Sequence, residues 1–224
     1  MQLFLPISHN ENSFDKDSFI TLPENNDAIN FLRSFFRNNC AISHFKACLY
    51  PNIIIQGPRF SGKTHILSIL AEEFSAKFLS FGQIKNLEFL ANLTKNKIYI
   101  FEDIDQIDDD EAILRLINFA YEREIFLIFS LQNLTNFNLA DLVSRFKSIP
   151  IAKIDNLTIN SIRDLLQALL INNNIYLSSS KIDFIIKNCQ RNYESINDIV
   201  TKIINFNCEF LKQPSLGDLK NILS

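Results

Sequence analysis

Three consecutive β-branched residues, Ile53-Ile54-Ile55, are separated by Gln56 alone from Gly57-Pro58-Arg59-Phe60-Ser61-Gly62-Lys63-Thr64. After this loop, Ile66, Leu67, Ile69, Leu70 and Phe74 recur at helical spacing. The order strand, G-x-x-x-x-G-K-[ST], helix restricts the chain more than any other feature. Glycines permit the unusual turn and let backbone amides approach phosphate oxygens. The helix that starts near Gly62 adds the positive end of its dipole. Lys63 is placed to reach β- and γ-phosphates, and the Thr64 hydroxyl to hold Mg2+. The expected ligand is ADP or ATP with Mg2+, held by Gly57, Pro58, Ser61, Gly62, Lys63 and Thr64. The bland alternative is a glycine-punctuated loop with an exposed lysine.

Around this loop the pattern alternates. Ile53–Ile55, Lys77–Phe81, Ile98–Phe101, Ile125–Phe129 and Ile149–Ile154 read as strands. Helical stretches lie between them, including 83–94, 110–122 and 139–146. Such alternation predicts a parallel sheet with right-handed crossovers. After Asp155 only helices are expected, over Thr158–Leu170, Ser178–Cys189 and Ser195–Phe210, with Thr158 and Ser178 as N-caps. The expected organisation is a tail and linker over 1–18, an α/β nucleotide-binding domain over 19–155 and a small three-helix lid domain over 156–224.

The third strand ends in Glu102-Asp103. A carboxylate at such a strand end can coordinate Mg2+ or its waters, and a second can orient an attacking water. Glu102 and Asp103 are therefore the metal-side candidates, with Asp103 also a catalytic candidate. Asp105 and Asp108–Asp110 read as a solvated loop and helix N-terminus. A net charge of −3, with no Lys/Arg run, provides none of the basic excess usual in nucleic-acid domains. Cys40, Cys48, Cys189 and Cys208 have neither disulfide-framework nor zinc spacing, which suits reduced thiols in a cytoplasmic protein. No apolar stretch is long enough to cross a membrane, so no membrane association is expected.

The phosphate loop, the acidic strand end, Ser144-Arg145-Phe146 and the helical lid together resemble the AAA+ P-loop NTPase domain of the replication initiator DnaA. Within that group the chain looks most similar to Hda-type regulators. The resemblance covers roughly residues 19–210. Glu24-Asn25-Asn26-Asp27-Ala28 is similar to the family's S-N-x-x-A segment, which implies that Asn25 lies near the adenine. Val143-Ser144-Arg145-Phe146 is similar to the family's S-R-[FL] box, which implies that Arg145 is an arginine finger acting in trans. Gln2-Leu3-Phe4-Leu5-Pro6 resembles the Q-L-x-L-P peptide that binds the DNA polymerase sliding clamp, with Gln2, Leu3, Leu5 and Pro6 as contacts.

Three departures bear on activity. Glu102 stands where the family has Asp, and Ser195 stands where a lid arginine is expected, with Arg191 about one helical turn early. No acid follows the fourth strand, where Ser130-Leu131-Gln132 stands. Weak or no intrinsic ATPase activity is therefore expected. No basic helix-turn-helix follows the lid, so direct sequence-specific DNA binding is not expected. The resemblance implies a clamp-tethered protein that stimulates ATP hydrolysis on DnaA in trans and so limits re-initiation; it also allows a homo-oligomer. The alternatives are an AAA+ replication adaptor or loader module, and a P-loop small-molecule kinase.

Overall fold

Side chains along each strand alternate between the two faces of a sheet, and that alternation sorts the apolar residues here into two clusters. Ile53 and Ile55, Ile98 and Ile100, and Phe126 and Ile128 enter one cluster. Ile54, Tyr99 and Phe101, and Leu127, Phe129 and Leu131 enter the other. The computed structural model describes residues 19–41 and 51–223. The clamp-peptide candidates Gln2, Leu3, Leu5 and Pro6 lie outside the described residues.

The strands are β1 (Asn52–Gln56), β2 (Lys77–Leu79), β3 (Ile98–Phe101), β4 (Phe126–Leu131) and β5 (Ile151–Lys153). They form a parallel sheet of order β2-β3-β4-β1-β5. Every residue of β3 and β4 is buried, as expected of parallel strands covered on both faces. Helices α1 (Pro23–Ala41) and α2 (Lys63–Phe74) cover one face. The other is covered by α3 (Phe81–Lys85), α4 (Leu87–Ala91), α5 (Asp110–Glu122) and α6 (Ala140–Ser148).

The helical stretch expected over 83–94 divides at Asn86. That residue closes α3 and also caps α4, its side chain accepting from the Phe89 amide. β2 stops at Leu79 because Ser80 opens α3 with a capping box to Gln83.

Beyond β5 come α7 (Ile159–Asn172), α8 (Ser179–Asn188) and α9 (Tyr193–Phe210), the three lid helices foreseen, and then a short α10 (Leu216–Leu223). α10 packs on α8 and α9 and buries Leu219 completely. Thr158 caps α7 through the Ser161 amide, whereas Ser178 precedes α8 without a side-chain cap bond. Apolar lid residues such as Ile162, Leu166, Ile196 and Ile203 join the cluster formed by α1, α2 and the sheet. The lid therefore shares a continuous apolar core with the sheet face that carries α2.

Candidate nucleotide-binding site

The register of the central strands assembles the site. Gln56 of β1 stands opposite Leu131 of β4, and Phe101 of β3 opposite Phe129 of β4. The carboxyl ends of three neighbouring strands thus bring Gly57, Glu102 and Ser130 to one edge of the sheet, where open parallel sheets bind ligands. The Gly57 amide donates to the Leu131 carbonyl at 3.2 Å, fastening the loop to β4.

A Cβ on Gly57 would come within 2.9 Å of both Ile154 Cβ and Ser61 Oγ, so the first loop glycine is required by space. Gly62 has φ +88°, the left-handed region that favours glycine. Phe60 has φ 58° without that freedom, a bulky residue in a sparsely populated conformation. Ser61 is buried, and its Oγ has no hydrogen-bond partner among the described residues. Lys63 is only 7% exposed, and its Nζ donates to the Gly57 and Pro58 carbonyls at 2.9 Å each. Burial pushes the ammonium below its ordinary value, while Asp103, Asp105 and Glu102 oppose that shift. A tight glycine cradle, an orphaned buried hydroxyl and a buried ammonium suit an anionic group carrying several oxygens.

Glu102 lies behind the loop. Burial holds its carboxyl above the ordinary value, against a hydrogen bond from the Thr64 hydroxyl. Its Oε1 is buried without a partner. Asp103 adopts a left-handed conformation, and its amide donates to Ser130 Oγ at 2.9 Å. Ser130 thus ties the end of β4 to the acidic turn. Thr64, Glu102 and Asp103 are together at the loop, as a Mg2+ site on the phosphate side would need.

Asp105 differs from the solvated-loop reading. Its Oδ2 accepts from the Gln132 and Asn133 amides at 2.9 and 3.0 Å, holding the chain just beyond β4. Asp109 caps α5, and Asp110 accepts from the Asn138 and Leu139 amides. Asp109 thus serves the helix N-terminus expected there, whereas Asp105 and Asp110 order backbone that follows β4, a role that nothing in their clustered spacing indicates.

A cleft of about 630 Å³ opens from the loop toward the lid. Phe19, Ile20, Leu22 and Asn25 line it on the core side. The Asn25 amide is engaged locally: Oδ1 accepts from the Leu22 amide at 2.9 Å and Nδ2 donates to the Ile20 carbonyl at 3.0 Å. Asn25 thereby holds the apolar segment that forms the wall. Leu165, Leu169, Asn172, Asn173, Tyr193 and Asn197 line the lid side. Ser195 lies in the first turn of α9, its amide bound to the Asn192 cap, and Arg191 precedes the helix. Among the described residues neither reaches the cleft, so the lid wall is uncharged.

Core and lid are joined beside the cleft by Glu24, a residue without any sequence signal of such a role. Its Oε1 accepts from the Thr158 amide at 2.9 Å and from Ser161 Oγ at 2.7 Å, across more than 130 residues of sequence. Its carbonyl accepts from the Asp155 amide. The Tyr193 hydroxyl donates to the Asp155 carbonyl at 3.2 Å, and burial, then Glu24 and Asp155, push that phenol up to about 12. Burial would raise the Glu24 carboxyl, but bonds from Ser161 and Thr158 outweigh it and hold the group below its ordinary 4.5.

A carboxyl with a depressed native pKa stabilises the fold fully above its ordinary value and loses that contribution as pH falls through the native one. Glu24→Gln is therefore expected to flatten the acid limb of stability below about pH 4.5. It should lower unfolding stability near neutral pH by about 1–3 kcal/mol. Urea denaturation across pH measures both; parallel acid limbs in the two proteins would remove Glu24 as their source.

Arg145 lies elsewhere. It is exposed on α6, does not line the cleft, and makes no ion pair among the described residues. Its neighbour Phe146 is 1% exposed and packs on Phe129 and Phe137 with ring centroids 5.9 and 4.9 Å away. The box thus combines a buried aromatic anchor with an outward guanidinium.

No protein-family model matches this chain, and no curated protein matches it in sequence. Solved structures do. Domain III of the replication initiation protein DnaA from Thermotoga maritima superposes with a TM-score of 0.73 at 15% identity, covering 94% of this chain and 95% of that one. AMPPCP-bound DnaA from Aquifex aeolicus gives 0.59 at 17% identity, over 86% of this chain and 66% of that one. The Thermotoga maritima RuvB Holliday junction branch migration motor gives 0.61 at 12%, over 87% and 68%. The chain has the α/β fold of AAA+ domains. Among the described residues no helix is long and apolar enough to cross a membrane.

Proposed function

We propose that this chain is a replication-related AAA+ protein that holds ADP or ATP in its own cleft and acts through Arg145 on nucleotide bound to a DnaA-type partner. The observation that carries this reading is the position of Arg145: exposed, anchored through Phe146, and outside the chain's own cleft. An arginine finger needs that combination, since it must be rigidly presented and reach a neighbour's phosphates.

Within the chain, Gly57 and Gly62 shape the loop, and Ser61 and Lys63 donate to phosphate oxygens. Thr64, Glu102 and Asp103 hold Mg2+, and Asn25 braces the wall beside the base. A bound nucleotide with Mg2+ supplies the negative charge that neutralises Lys63 and links loop to lid. The uncharged lid wall favours retention of nucleotide over turnover, because no lid arginine meets charge developing during phosphoryl transfer. It also speaks against a small-molecule kinase, which requires several such cations. Gln2, Leu3, Leu5 and Pro6 would tether the protein to the sliding clamp, raising its local concentration near replicating DNA. A homo-oligomer would use the same exposed face of α6.

Two measurements test this. The protein is expected to accelerate ATP hydrolysis by DnaA in the presence of DNA-loaded clamp; no acceleration at saturating concentration would reject the regulatory reading. In surface plasmon resonance, the intact chain is expected to bind clamp, and Gln2→Ala/Leu3→Ala to weaken binding at least about tenfold. Equal binding by the variant would remove the tail as the tether. Clamp binding without stimulation would instead point to an adaptor.

A further inference from the structure

The charge distribution around the cleft is one-sided. Its cationic and imidazole side chains, Arg59, Lys63 and His65, come from the phosphate loop and the first turn of α2, and the lid adds none. Lys63 is buried and tied to the loop carbonyls. Arg59 is exposed at the mouth, with its guanidinium carbon 5.7 Å from the Phe60 ring centroid. It forms no ion pair among the described residues. It lies near enough to Lys63 for their like charges to interact. Phe60 presents its ring from a left-handed backbone conformation, φ 58°, that a bulky residue rarely adopts. The loop tip thus places an aromatic face under a cation that has no carboxylate partner among the described residues.

We propose that Arg59, beside Lys63, is the cation whose contact is confined to the third phosphate in this site, so that the loop distinguishes tri- from diphosphate where, among the described residues, no lid arginine lines the cleft. The assignment rests on the nucleotide-binding reading above. The loop backbone serves phosphates common to both nucleotides and Lys63 spans the β- and γ-phosphates, whereas a flexible side chain at the mouth contacts only the additional one. A guanidinium suits it, offering forked donors to two phosphate oxygens. Phe60 limits the orientations that the side chain samples before binding.

Calorimetric titration with ADP and with AMPPCP, each with Mg2+, tests this on the full chain, Arg59→Ala, Arg59→Lys and Phe60→Gly. Arg59→Ala is expected to weaken AMPPCP about tenfold or more, the loss of one charge-assisted contact, while ADP changes less than about twofold. Arg59→Lys should recover part of the AMPPCP affinity. Phe60→Gly should move the AMPPCP-to-ADP ratio in the same direction as Arg59→Ala, by less. Equal weakening of both ligands, or no change in either, would overturn the assignment while leaving nucleotide binding intact. If the unaltered chain bound neither ligand, the nucleotide reading would fail and this inference with it.

Discussion

Arg145→Ala is expected to abolish stimulation of DnaA ATP hydrolysis, by about a thousandfold at full effect, while this protein's own ADP affinity stays within about twofold. The asymmetry follows from position. Arg145 is exposed on α6 and absent from the cleft lining, so its removal disturbs neither the phosphate loop nor the lid. Its loss should alter folding stability by no more than about 0.5 kcal/mol, as for surface positions free of special contacts. Phe146, by contrast, is a core residue, and Phe146→Ala would remove the anchor beside Arg145 while leaving its guanidinium. Arg145→Lys separates charge from geometry: a point charge lacks the planar fork, so most of the stimulation should remain lost. Single-turnover hydrolysis on partner-bound ATP, with ADP titration of the variant alongside, gives both readings. Unchanged stimulation would end the finger assignment; loss of ADP binding would place Arg145 in the chain's own site.

Lys63→Ala carries the second large effect. It should weaken ADP by about a hundredfold or more, through loss of a buried, charge-assisted phosphate contact. The ligand-free protein should behave differently. Lys63 is a buried cation held by two carbonyls, and removing it relieves desolvation while leaving those carbonyls without their Nζ donor. These effects oppose each other, so the midpoint of thermal unfolding should move little without ligand. The upward shift produced by excess ADP should disappear, because ligand stabilises only to the extent that it binds the native state. Thermal scans with and without ADP test this directly. A variant that keeps the ADP-dependent shift would remove Lys63 from phosphate binding.

The glycine loop between β1 and α2 was legible because most of what its conformation requires is local. Gly62 answers to its own left-handed φ and Gly57 in part to Ser61, although its other close neighbour, Ile154, is distant in the chain; the preceding isoleucines and following apolar helix fix the context. The acidic strand end was legible for the same reason. Asp105 was not: its partners, the amides of Gln132 and Asn133, come from the far side of α5 and β4. Residues 83–94 carry continuous helical periodicity, yet Asn86 caps a new helix there, since its side chain competes for the Phe89 amide. α10 is short, and its one fully buried contact, Leu219, is paired with helices earlier in the chain.

The sequence by itself determined the alternation of strands and helices, the glycine loop between β1 and α2 and the acids at the end of β3, because each depends on periodicity or on spacing over a few residues. Tertiary structure decided the strand order, the uncharged lid wall, the Glu24 junction with Thr158 and Ser161, and the separation of Arg145 from its own cleft. Those features rest on contacts between residues distant in the chain, where no local steric or periodic rule relates one partner to the other.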